Sequence, residues 1–321
     1  MPLKEVLQKI NFVKQCRRYQ LSLWQCPSFL FLLMGLITIL TMLGSYLIAL
    51  RYTEQPEIVA LIVILVAAIL TIINYFIVQG FERLAQANQL KSEFVSIVSH
   101  QLRTPLTSIK WTLNLMMDEK AGQLTEEQLA KLKTIKESNQ QMGDLINDLL
   151  NVSRIEQGRL VVRPEKLSLE ALVRDIFKDY GSLAKSSNVK LSLVSHEDIP
   201  LISADRQAIK IVLQNLIDNA IRYIRKEGRV KIVLKKKNRS VICQAQDDGV
   251  GIPQKDQNKI FQKFFRSRNI MKYQTEGTGL GLFISQAIIK ASGGKMGFQS
   301  REGQGSVFWF ELPIKPKNNK Q

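Results

Sequence analysis

Glu276-Gly277-Thr278-Gly279-Leu280-Gly281-Leu282 opens an apolar, helix-periodic stretch that runs on to Ser292. Glycines set just before a helix leave the free N–H groups of its first turn accessible. Together with the positive end of the helix dipole these make a site for an anion. One such turn is equally well explained by a tight chain reversal, so the neighbouring sequence has to decide. Upstream, Asp247-Asp248-Gly249-Val250-Gly251-Ile252-Pro253 closes a strand-like run. A carboxylate at that strand end can accept a hydrogen bond from an exocyclic amine, and the two glycines can let backbone approach a ligand. Further upstream lies Asn215-Leu216-Ile217-Asp218-Asn219-Ala220-Ile221-Arg222-Tyr223. Asn215 and Asn219 share a helical face. Their amide oxygens suit Mg²⁺, Arg222 suits a phosphate, and Tyr223 can pack on a base.

Around these motifs, residues 190–195, 229–235, 240–247, 295–300 and 306–312 read as strands, and 168–185, 205–225 and 279–292 as helices. Strands on one side of helices predict an α/β sandwich over residues 160–315. Residues 316–321 form a polar tail, expected to be disordered. Lys235-Lys236-Lys237-Asn238-Arg239 reads most simply as a solvated hairpin between two strands. Contact with an anionic membrane leaflet is the second reading.

Before this domain stands Ser99-His100-Gln101-Leu102-Arg103-Thr104-Pro105-Leu106. The chain has two histidines, and His196, in Ser-His-Glu-Asp at a strand end, is read as a loop residue. His100 falls in a helix marked by Leu90, Phe94, Ile97, Leu102, Leu106, Ile109 and Leu113. Pro105 removes a backbone donor and frees the Gln101 carbonyl, so a bend is expected just after the histidine. A turn at 118–122 follows. Thr125-Glu126-Glu127-Gln128 is a capping box that starts a second helix running to about residue 157, where Gly158 ends it. Two long amphipathic helices over 79–159 cannot bury their apolar faces alone, and a second copy would complete a four-helix bundle.

Residues 29–50 and 58–78 contain no charge. At about 1.5 Å per residue each reaches roughly 30 Å, the thickness of a bilayer's hydrocarbon core. The 1–28 segment carries Lys4, Lys9, Lys14, Arg17 and Arg18, whereas the connecting 51–57 loop carries one Arg and two Glu. The positive-inside tendency then predicts a two-pass cell-membrane protein with both termini cytoplasmic, and no folded ligand-binding domain outside. Formal net charge is +17, and residues 160–321 hold 29 basic against 15 acidic groups. Such a balance points to a polyanionic partner. Zinc-finger spacing, RNA-binding aromatic motifs and basic-zipper heptads are not found, which argues against nucleic acid. The three widely spaced cysteines give no disulfide or metal framework.

From about residue 88 to 315 the chain resembles the catalytic core of the HisKA-type sensor histidine kinases of two-component systems. His100 matches the phosphoacceptor box, Asn215 and Asn219 the N box, and Asp247, Gly249 and Gly251 the first glycine box. Phe261-Gln262-Lys263-Phe264-Phe265-Arg266 matches the F box that begins a lid of about 261–276, and Gly277, Gly279 and Gly281 the second glycine box. The resemblance implies an α+β multidomain chain: two transmembrane helices, a dimeric four-helix bundle of helical hairpins, and a Bergerat-type ATP-binding α/β sandwich. It implies ATP and Mg²⁺ as cofactors. Asn219 and Asn215 would sit near the metal, Asp247 on adenine, and Arg222, Tyr223 and Arg266 around the nucleotide. Gly277, Thr278, Gly279, Leu280 and Gly281 would lie on its phosphates, and Lys263, Arg268 and Lys272 of the lid would add positive charge. The implied activity is autophosphorylation of His100 and transfer to an aspartate on a separate response-regulator receiver domain. Thr104 matches the position used to place water when the partner is dephosphorylated.

Three departures stand out. Gln101 replaces the usual acid after the histidine. Arg222 replaces the usual lysine, which changes reach and geometry. Only about ten residues separate residue 78 from the family match, so the second membrane helix is expected to run almost directly into the bundle. Gln101 leaves one rival open, an ATP-binding scaffold or pseudokinase. An ATPase with water as acceptor is another. Gln101 can accept a hydrogen bond from Nδ1–H and fix the tautomer with Nε2 free, but it cannot take a proton. A carboxylate would add general-base help of roughly 10²–10⁴-fold. Gln101→Glu is therefore expected to label faster at pH 8. Because a neighbouring carboxylate raises a histidine's pKa, its activity should also fall at a higher pH on acidification. A pH–rate profile of both proteins from pH 5.5 to 8.5 checks this, and superimposed profiles would refute it.

Overall fold

The structure, a computed structural model, describes residues 27–52, 55–118, 124–196, 199–267 and 277–315. The 118–122 turn, most of the lid, the 1–26 stretch and the 316–321 tail named above fall largely or wholly outside these. The chain divides into two compact units, residues 1–98 and 99–321.

The first unit holds α1 (Pro27–Tyr52) and the first part of α2 (Pro56–Met116). Both are long and apolar enough to cross a membrane. Phe31, Ile39, Leu47, Leu61, Ile64 and Phe76 stand exposed along them. The hydroxyls of Thr38, Thr41 and Thr71 donate to the Met34, Ile37 and Ala67 carbonyls at 2.7–2.8 Å. This is how a helix satisfies polar side chains without water. The connection is shorter than the expected 51–57 loop. Pro56 occupies the first helical position, where its missing N–H is not needed, and α1 continues through Tyr52.

In the second unit the rest of α2 pairs antiparallel with α3 (Glu126–Glu156). Asn139 donates to the Leu106 carbonyl at 3.2 Å, and Arg103 to Asn147 at 3.1 Å. The capping box is present: Gln128 N–H donates to Thr125 Oγ1 at 3.2 Å, and Thr125 N–H to Gln128 Oε1 at 2.9 Å. Gly158, at φ 57°, turns the chain out of the helix. α2 stays one helix across Pro105. Leu102, Trp111, Leu115, Ile135, Met142 and Leu145 remain exposed along the hairpin, the stripe expected to need a second copy.

The remainder is an α/β sandwich. A mixed sheet in the order β2-β4-β5-β7-β6 combines β2 (Val189–His196), β4 (Gly228–Lys237), β5 (Ser240–Asp247), β6 (Lys295–Ser300) and β7 (Ser306–Pro313). β2 and β4 are parallel and the other neighbours antiparallel. β1 (Glu165–Leu167) and β3 (Ile202–Ala204) make a small antiparallel sheet that the sequence reading missed. Three-residue strands are too short to show an alternating pattern. His196 ends β2 rather than lying in a loop.

Val230, Ile232 and Leu234 of β4, Val241, Cys243 and Ala245 of β5, and Phe308, Phe310 and Leu312 of β7 face one core. Against them pack α4 (Leu169–Ser186), α5 (Arg206–Arg222) and α6 (Gly281–Ala291). Ser168 caps α4, and Asp205 caps α5 through Ala208 N–H at 3.0 Å. α5 stops at Arg222, short of the expected 225, because the Tyr223 carbonyl accepts Val250 N–H at 3.0 Å instead of continuing the helix. Phe310 is fully buried at the centre. Phe310→Ala should cost about 3–5 kcal/mol, which urea unfolding followed by Trp309 fluorescence would measure.

Candidate functional site

A cavity of about 1100 Å³ lies within the second unit, walled on one side by α2 and α3 and on the other by α5, the β5 end and the glycine turn. The structure brings most of the sequence-selected residues to it. Asn215, Asn219, Arg222, Tyr223, Asp247, Gly251, Arg266, Gly277, Thr278, Gly279 and Gly281 all line it.

Asp247 sits at the end of β5. Its Oδ1 accepts the Gly249 N–H at 3.0 Å and the Ser306 N–H at 3.2 Å. Burial is the main cause that pushes its carboxyl up to about 6, opposed by those two donors. Among the described residues no partner engages its second oxygen, which leaves an acceptor available to the cavity. Tyr223 lines the same space, and burial raises its phenol above the ordinary value.

The glycines divide by role. A Cβ on Gly249 would meet the Tyr223 carbonyl oxygen at 2.6 Å, and one on Gly251 would strike the Arg301 carbonyl. The protein's own packing requires a glycine at both positions, and Gly251 also lines the cavity. Gly279, at φ 69°, accepts the Phe264 N–H on its carbonyl at 3.0 Å, and a Cβ there would lie 2.8 Å from Phe264. Gly277 differs: at φ 123°, nothing comes nearer a Cβ than the Arg266 guanidinium at 4.0 Å. It is the open member of the set.

Other residues of the set also hold the fold together. The Asn215 amide donates to the Gly281 carbonyl at 3.1 Å and to Ser285 Oγ at 3.2 Å, so it ties α5 to α6. Arg222 lines the cavity and pairs through Nε with Asp218 at 2.7 Å. Leu280 is fully buried in the core, and its N–H is taken by Thr278 Oγ1 at 3.1 Å. Neither Leu280 nor Gly249 lines the cavity. His100, Gln101 and Thr104 are exposed on α2 and do not line it either. The F box anchors the lid start: Phe261 packs edge-on against Phe298 at 5.9 Å.

Sequence reasoning missed the contribution of the helical hairpin. Arg103, one turn beyond His100, lines the cavity with Asp144 and Asp148 of α3. Thr278 donates to Asp148 Oδ2 at 3.0 Å, and Lys263 bonds Glu156. Burial holds both Asp144 and Asp148 above the ordinary carboxylate value. The acidic residues of α3 carried no motif that could have flagged them.

Two family models match the chain. One, described as "His Kinase A (phospho-acceptor) domain", covers residues 90–158. The other, described as "Histidine kinase-, DNA gyrase B-, and HSP90-like ATPase", covers residues 204–316. Over 233 residues the chain is 33% identical to the circadian input-output histidine kinase CikA of Synechococcus elongatus, covering 72% of this chain and 31% of that protein. It is 30% identical to the signal transduction histidine-protein kinase BarA of Escherichia coli K12, covering 73% and 26%. The chain thus spans between a quarter and a third of these relatives. Among solved structures, full-length ShkA in complex with AMPPNP aligns with a TM-score of 0.58 and 26% identity, over 70% of this chain and 46% of that one. The histidine kinase ThkA in complex with the response regulator TrrA aligns at 0.50 and 27%, over 74% and 65%.

An adenine nucleotide suits the donor set: an amine acceptor at the buried Asp247, an open glycine beside Arg266, and room for the whole molecule. With its carboxyl raised to about 6, Asp247 accepts an amine hydrogen bond well above that pH and progressively loses the capacity below it. ADP affinity should therefore fall as pH drops from 7 to 5. The fall should be shallower in Asp247→Asn, which is weaker throughout but does not titrate. Calorimetric titration of both proteins across that range checks it.

Proposed function

The chain belongs to the HisKA-type histidine kinases, and on that premise we propose that it phosphorylates its own His100 from Mg·ATP and passes the phosphoryl group to an aspartate of a separate response regulator. The observation that carries this reading is the shared cavity. Nucleotide motifs from four elements of the ATP-binding domain open onto the same space as Arg103 of the phosphoacceptor helix.

The bound Mg·ATP supplies the phosphoryl group and a cation that neutralises its charge. Asp247 holds the adenine amine through its free oxygen. Asn219, on the cavity wall, offers its amide oxygen to the cation, with Asn215 supporting from one turn earlier. Arg266 and the lid cations meet the phosphates and the charge that develops on them. Neutral His100 presents Nε2 for in-line attack on the γ-phosphorus, the bond to the β–γ bridging oxygen breaks and ADP leaves, while the Gln101 amide oxygen accepts from Nδ1–H and fixes that tautomer. Thr104, one turn on, would hold the water that hydrolyses the partner's aspartyl phosphate to aspartate and inorganic phosphate.

His100 stands outside the cavity, while Thr278 and Lys263 tie the ATP-binding domain to Asp148 and Glu156 of α3. This supports a cycle in which the domain leaves α3 before it reaches the histidine. The exposed stripe on the hairpin supports a homodimer. The two apolar helices support a two-pass membrane protein with both termini cytoplasmic, its 1–28, 29–50, 51–57, 58–78, 79–159 and 160–315 segments in the roles given above. With so short a connection between the spans, the stimulus enters through the bilayer, a membrane partner or the N-terminal segment.

His100→Gln should abolish acid-labile, base-stable label from γ-labelled ATP while ADP affinity stays unchanged, because the two sites lie on different elements. Label retained in that variant would overturn the assignment. Wild-type protein that binds nucleotide but never labels would favour the scaffold reading. Asn219→Asp should abolish label as well, and normal labelling in it would discard the cation assignment.

A further inference from the structure

The outer face of the sheet lies opposite α4, α5 and α6, and Val233, between Lys231 and Lys235 of β4, is buried on it. Strand alternation puts Lys190, Ser192, Val194 and His196 of β2 on it. The parallel register then sets Lys190 opposite Arg229, Ser192 opposite Lys231, and His196 opposite Lys235. Lys237 continues the row, which runs about 26 Å from Arg229 at roughly 3.3 Å per residue. Cross-strand neighbours of like charge oppose sheet formation, so the fold tolerates this row rather than requiring it. Two members are paired: Arg229 with Asp248 at 3.4 Å, and Lys237 with Glu311 at 3.7 Å. Lys190, Lys231 and Lys235 are exposed and have no ion-pair partner among the described residues. None of the three lines the cavity.

We propose that this face is a docking surface for an anionic phospholipid bilayer. Charge complementarity favours a polyanion. A row of exposed basic side chains on a chain that also carries two helices long and apolar enough to cross a membrane suits a planar field of anionic headgroups. The proposal rests on the reading of α1 and α2 as membrane spans, which hold the domain within reach of such a surface and raise its effective concentration there. Attraction of this kind is screened by salt and falls away beyond a Debye length. The charge of the leaflet would then influence how freely the ATP-binding domain moves between α3 and His100.

The full chain, reconstituted in nanodiscs of zwitterionic lipid or of mixed zwitterionic and anionic lipid, is footprinted with an amine-reactive acetylating reagent and read by mass spectrometry. Lys190, Lys231 and Lys235 are expected to label about threefold more slowly in the anionic discs, and to lose that protection at about 0.5 M salt. Lys178, exposed on the helical side, serves as the unchanged control. Lys231→Glu with Lys235→Glu should abolish the protection of Lys190 without touching any residue of the nucleotide site. Equal labelling in the two lipids overturns the proposal, and so does protection by an added nucleic-acid duplex in place of anionic lipid. A chain that does not co-elute with the discs overturns the membrane reading itself, an outcome distinct from either.

Discussion

The Asp247 carboxylate is the point on which the site's geometry turns. Its Oδ1 accepts from Gly249 in the turn that follows and from Ser306 at the start of β7. Asp247 and Ser306 are also register partners across the β5–β7 ladder. One oxygen therefore fixes the turn, the ladder end and the direction in which the other oxygen faces. A buried acid is costly unless its charged form is hydrogen-bonded. Two N–H donors offset part of that cost and leave the carboxyl raised to about 6. The acid is thus ionised at neutral pH yet remains in a poorly solvated place, where one additional donor has the most to contribute.

Around this point the glycines act as spacers for backbone. Gly249 lets the turn lie against the Tyr223 carbonyl, and Gly279 lets the second turn lie against Phe264. Phe264 itself has φ 61°, an unusual conformation for an aromatic residue, and its N–H donates to the Gly279 carbonyl at 3.0 Å. The start of the lid thus lies beside the second glycine turn, with the Phe264 side chain exposed. Gly277 stands just beyond it with open space at its Cβ position.

The contact with α3 gives the ATP-binding domain a second set of partners. Thr278 occupies Asp148, and Lys263 occupies Glu156 while lying 5.0 Å over the Phe283 ring. Asp144 and Asp148 are partly desolvated by this docking. Such a contact is modest in strength, because each carboxylate gives up hydration to form it. That suits an attachment which has to form and release, and it uses residues of the nucleotide site on the domain side.

The Thr125–Gln128 cap, the periodicities and the two apolar runs were readable directly, because each is set within a few residues of chain, as in the strand at 240–247. The motif residues were readable as a set for the same reason. Their individual roles were not. Asn215 meets α6 sixty-six residues later, Thr278 meets Asp148 across 130, and Arg103 meets the nucleotide motifs only in the folded unit. The short β1 and β3 form only because each supplies the other's ladder. By itself the sequence determined the helices, most strands and the chemical inventory of the site, since backbone periodicity and capping are local. Tertiary structure decided which glycine is open, which cation is already paired and which lysines share a face, since those depend on partners brought together only by packing.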